Sequence, residues 1–117
     1  EEAIDHRALE ARALMDMGLV PAALELLEDA DTLETLTLKA RCMEDPRAAW
    51  KMLKDASSMF KPGDSGYGDA RVAMADLVAR AGKYKNAVKE LERLRLQVPD
   101  HKPHEVAARL RALERLV

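Results

Sequence analysis

The chain has one cysteine, Cys42, so it can form no internal disulfide and no structural zinc site built on several thiolates. The lone thiol reads as a small core or groove residue rather than a nucleophile. Aromatic residues number four, Trp50, Phe60, Tyr67 and Tyr84, and strand-forming residues are scarce. No run approaches the roughly 20 apolar residues that cross a bilayer, and the opening Glu1-Glu2-Ala3-Ile4-Asp5 is acidic where a secretory signal is basic. A soluble, cytoplasmic protein without membrane contact is expected. The missing initial Met fits an excised domain or a processed product.

What is present is a helix-forming vocabulary. Ala (20) and Leu (17) supply about a third of the 117 residues, and charged residues supply 34%. A chain this long makes one domain and hides roughly two-thirds of its extended surface, so a modest core forms without covalent staples. The net charge of −2 predicts neither a nucleic-acid binder nor a polyanion mimic. It conceals an asymmetry, because residues 1–60 carry 13 acids and 7 bases whereas 61–117 carry 8 acids and 12 bases. The Ala, Leu and Arg usage fits a GC-rich bacterial gene.

Apolar residues recur at helical spacing, broken at short intervals by Gly and Pro, which predicts about seven helices in antiparallel pairs. The first runs from Ala3 to Asp16 with Ile4, Ala8, Ala11 and Met15 on one face, and Gly18 follows where a left-handed residue is wanted. Pro21 opens a second helix reaching Ala30. Asp31 with Glu34 resembles a capping box for a third, ending near Glu44. Asp45-Pro46 starts a fourth, to Phe60. Residues 61–68, with three glycines and a proline, form the longest loop. The fifth helix spans Asp69 to Ala81, the sixth Tyr84 to Val98, and the seventh starts at Pro103 and presents Val106, Leu110, Leu113 and Val117. No strand candidate stands out.

The pattern repeats. Ala75, Val78, Gly82, Tyr84, Ala87, Leu91, Leu94 and Pro99 follow one another in a spacing partly reproduced by Ala11, Leu14, Gly18, Ala23, Leu27 and Ala30. Thr37, Ala40, Ala49, Leu53 and Ala56 give a weaker middle copy, with Glu44 where the others have Gly. This series resembles the tetratricopeptide repeat, whose small residues let two helices approach closely and whose Gly and Tyr mark the turn between them. The resemblance implies an all-α, right-handed superhelix with repeats over 4–30, 31–60 and 68–101 and a solvating helix over 103–117.

No catalytic constellation accompanies it. His101 and His104 lie three apart but flank Pro103 with no further ligand nearby, and His6 stands among acids. The glycines of 63–68 lack the Gly-Lys-Ser/Thr ending of a phosphate loop, and the methionines read as core filler. Bases and acids alternate in Lys89-Glu90-Leu91-Glu92-Arg93, a solvated face rather than a phosphate track. No enzyme activity, cofactor, metal or nucleic acid is expected.

By the resemblance, the first helix of each repeat lines a groove for a peptide or helix of another protein. The residues it places there include Arg12, Met15, Leu38, Arg41, Val72, Asp76 and Arg80, with Asp5, Asp31, Glu34 and Asp69 as an acidic rim. Family members that hold the C-terminal carboxylate of chaperones use Lys and Asn at places filled here by Ala8, Arg12 and Thr35, so that activity is not implied. The expected role is an adaptor or scaffold. Homotypic assembly, or regulation of a larger protein, is the alternative.

Overall fold

The computed structural model describes residues 6–117, and every regular element among them is an α-helix. They are α1 (His6–Asp16), α2 (Val20–Leu26), α3 (Leu33–Cys42), α4 (Pro46–Ser57), α5 (Tyr67–Arg80), α6 (Tyr84–Gln97) and α7 (Pro103–Glu114). Ile4 and Asp5 lie outside the described residues. Each helix packs on the next, and α3 additionally packs on both α1 and α5. The even helices make no comparable contact with one another, so α1, α3 and α5 form one row and α2, α4 and α6 flank it.

Apolar burial follows this two-row order, in three successive clusters. Ala8, Ala11, Leu27 and Leu38 join α1 to α3 around the turn after α2. Ala40, Ala49, Leu53, Ala73, Met74 and Leu77 join α3, α4 and α5. The third and largest holds α5, α6 and α7 together through Ala70, Ala75, Ala87, Leu91, Leu94, Val106 and Leu110. Alanines occupy the crossings because a residue without a long side chain lets helix backbones approach closely. Ala11, Ala23, Ala40, Ala49, Ala73 and Ala87 are all fully buried.

Two of the turns are built alike. Gly18 (φ +81°) and Gly82 (φ +84°) take the left-handed conformation that glycine adopts without a Cβ clash. Behind each, a crossed pair of bonds closes the helix: Gly18 N–H and Leu19 N–H donate to Met15 and Leu14 carbonyls, and Gly82 and Lys83 donate to Ala79 and Val78. The middle turn differs. Met43 is extended, and Asp45 Oδ1 accepts from Arg47 N–H at 3.0 Å ahead of Pro46.

Several boundaries depart from the expected ones, α3 ending at Cys42 rather than Glu44 and α4 at Ser57 rather than Phe60 among them. The cap of α3 is Thr32, one residue past Asp31: its hydroxyl accepts from Thr35 N–H at 3.1 Å and the Thr35 hydroxyl accepts from Thr32 N–H at 3.2 Å. Thr35 is fully buried, so this reciprocal pair keeps its hydroxyl satisfied, and Asp31 turns to Arg7 instead. Helix α2 stops at Leu26, before the Leu27–Asp29 turn. Helix α5 starts at Tyr67, inside the stretch expected to be a loop; the ring of His101 lies over Gly68, where a Cβ would sit 2.5 Å from it, so this glycine serves a close approach rather than a turn. Gly68→Ala should therefore cost a net ~1 kcal/mol, the clash outweighing alanine's better helix propensity. Combining it with His101→Ala should recover most of that loss in denaturant unfolding; no recovery would place the strain elsewhere.

Val117, expected on the inner face of α7, is exposed beyond the end of the helix. Cys42 is buried, and burial pushes its thiol pKa up, away from the reactive thiolate.

Candidate functional site

The odd-numbered helices bring several of the expected groove residues to one side. Arg12 from α1 and Leu38 and Arg41 from α3 meet around a depression of about 350 Å³, completed by Glu34, Thr37, Asp69 and Lys102. Leu38 and Thr37 form its buried base. Thr37 is satisfied inside its own helix, its hydroxyl donating to the Leu33 carbonyl at 2.7 Å.

The charges here are already paired with one another. An Arg12 Nη2–H donates to Glu34 Oε1 at 3.1 Å. Arg41 Nη1–H donates to Asp76 Oδ2 at 3.0 Å, and Arg109 grips the same carboxylate with Nε–H at 2.8 Å and Nη2–H at 3.1 Å. Asp76 thus ties α3 and α7 to α5. Its hydrogen bond raises the Arg109 pKa against the opposing pull of burial. These bonds join residues far apart in the chain, so they act as fasteners between helices.

The remaining candidates are placed differently. Met15 is half-buried against the first cluster, and Val72 is buried in the third. Arg80 reaches across to the Glu44 carbonyl at 3.5 Å. Of the acidic rim, Asp31 pairs with Arg7 at 2.8 Å, and Asp5 lies outside the described residues. Lys102 and Arg109 were not among the candidates, because they come from the connection before α7 and from α7 itself, where sequence reasoning expects only a solvating cap. Their one signal is charge opposite to the acids on α5.

Asp69 sits at the rim with Lys102 Nζ at 2.9 Å and His101 Nε2 at 3.1 Å. Burial pulls its pKa up, but hydrogen bonding and attraction from Lys102, joined by His101, outweigh this and hold it below the usual value of about 4. A carboxylate depressed on folding adds stability that is fully present above its unfolded value and is lost as pH falls through the folded one. Asp69→Asn should therefore be less stable than the native chain at pH 7, and the difference should vanish toward about pH 2 in denaturant titrations. A difference that persisted at that pH would trace to packing instead.

Among the described residues no three His, Cys, Asp or Glu side chains converge as a metal ion would need, and no helix is long and apolar enough to cross a membrane. The fold and site define an all-helical protein with a charge-paired depression across its odd helices. Comparison with protein-family models, curated proteins and solved structures finds no match.

Proposed function

We propose that the chain is a tetratricopeptide-like repeat domain, of three helix pairs and a closing helix, that acts without chemistry of its own as an adaptor holding a peptide or helix of another protein. The two alike turns at Gly18 and Gly82 and the succession of three alanine-rich clusters support a repeat. The observation that carries the binding role is the depression where Arg12, Leu38 and Arg41 meet on one face. A partner carboxylate would exchange with Glu34 or Asp76 for the guanidinium groups while an apolar side chain covers Leu38. Affinity capture followed by mass spectrometry, run with the native chain and with Arg12→Gln/Arg41→Gln at a temperature well below both thermal melts, tests this. Proteins held by the first and lost from the second are expected; an identical set on both would remove the depression from binding.

A second reading, head-to-tail self-assembly, has its own support. Leu9, Met17 and Leu19 are exposed at the first helix pair and Leu116 and Val117 at the last, and residues 1–34 carry ten acids and two bases whereas 83–117 carry nine bases and five acids. Stacked repeats with such ends would propagate rather than close. Light scattering at two ionic strengths tests it: a salt-sensitive rise in mass, lost on Arg111→Glu/Arg115→Glu, is expected from assembly, and a monomer at high concentration and low salt rules it out.

A further inference from the structure

The flanking row of helices builds a second and larger groove. Helices α4 and α6 do not pack on each other, and between them lies a cleft of about 700 Å³ floored by Leu77 and Val78 of α5 and by Ala81 just past its end. Its walls carry six cations, Arg47, Lys51 and Lys54 from α4, Lys83 just ahead of α6, and Lys89 and Arg93 from α6, against two carboxylates, Asp55 and Glu90. Glu90 is turned to Arg71, 3.7 Å away. None of the six cations has an ion-pair partner among the described residues. In a chain of net charge −2 with 21 acids, so many unpaired cations around one apolar floor form a concentrated positive field.

Trp50 stands in the α4 wall, with Lys54 Nζ 5.0 Å from its ring centre. Its indole N–H lies inside the wall, closed off from solvent, and the ring itself is half-buried. The α4 wall from Pro46 to Asp55 is about 13 Å long, a little over two helical turns.

We propose that this cleft is a second docking site, distinct from the depression on the odd helices, and that its occupant is an acidic amphipathic helix of a partner protein. The occupant's apolar stripe lies on Val78, Ala81 and Trp50, and its flanking Glu and Asp residues meet the lysines and arginines of both walls. A nucleic-acid backbone matches less well, since it would leave the apolar floor uncovered and would face Asp55. A second copy offers no equivalent helix: α1 carries Arg7 and Arg12 among its acids, and α2 is one short helix whose Ala23 is already buried within the fold.

Trp50 is the only tryptophan, so its emission reports occupancy directly. The probe is a synthetic helix of about 16 residues with leucines at i, i+3, i+4 and i+7 and glutamates on both flanks. A saturable emission change is expected, weakened by salt, and Lys51→Glu/Arg93→Glu and Lys54→Glu/Lys89→Glu should each lower affinity at least tenfold with an unchanged thermal melt. Arg95→Glu, exposed on the other side of α6, should change it little. The proposal is overturned by no response up to about 1 mM peptide, by equal binding of the same peptide with lysines for its glutamates, or by unchanged binding in both double variants. Tighter binding of single-stranded DNA of equal charge, or a dimer that the peptide does not dissociate, would overturn it in favour of those occupants.

Discussion

Replacing Ala87 by leucine is expected to lower the melting temperature by several degrees, while Lys85→Leu two residues earlier changes it little. Ala87 is fully buried in α6 within the third cluster, which also contains Ala75 of α5, and these two helices form the broadest pairing in the protein. Three extra heavy atoms at such a crossing must push helices apart or take strained rotamers, at about 1 to 3 kcal/mol. In a domain of this size that corresponds to several degrees or more. Lys85 is exposed, and substitutions at such positions stay within about 0.5 kcal/mol. Ala23→Leu at the first helix pair should match Ala87→Leu. Thermal melts of all three variants check this, and equal effects at positions 85 and 87 would refute the packing.

The helices were legible in the sequence because each one's signals are local. The apolar spacing of Ala87, Leu91 and Leu94 marks the buried side of α6, Gly18 and Gly82 mark left-handed turns, and Asp45-Pro46 marks the start of α4. What was not legible depends on distant contacts. Gly66 and Gly68 read as a loop, yet α5 begins at Tyr67, and Gly68 is a glycine of close approach, with the ring of the sequence-distant His101 filling the space above it. Asp31 and Thr32 are both good caps by residue type, and only the burial of Thr35 selects the threonine.

The charges show the same division. Sequence reasoning put Arg12, Arg41 and Asp76 on one face but not in contact, since their bonds join residues 22 to 35 positions apart. The converse held for α4 and α6. Lys89 and Arg93 read as a solvated face of one helix, and only the splay of α4 and α6 over α5 sets them opposite Lys51 and Lys54 as facing walls. A solvated helix face and half of a cationic cleft have the same sequence. The distinction lies in whether a neighbouring helix supplies the counter-charges, as α3 does for Arg12 and α5 does for Arg41 and Arg109.

Asp76→Lys should be the most damaging single change on the odd-helix face. The carboxylate holds two guanidinium groups, Arg41 at 3.0 Å and Arg109 at 2.8 Å, with all three side chains about one-third exposed. Partly exposed pairs are screened, so each is worth about 1 kcal/mol or less; losing both and adding a third cation to the cluster should cost about 2 kcal/mol. Added salt should restore part of that by screening the new repulsion. Asp76→Asn, without the repulsion, should lose about half as much. It should also free both arginines, so a partner that presents a carboxylate to Arg41 should bind Asp76→Asn more tightly than the native chain, although the variant is less stable. Urea unfolding at low and high salt measures the first effect, and titration of the captured partner against both proteins measures the second. Equal stability of the two variants at low salt would show that Asp76 contributes packing rather than charge.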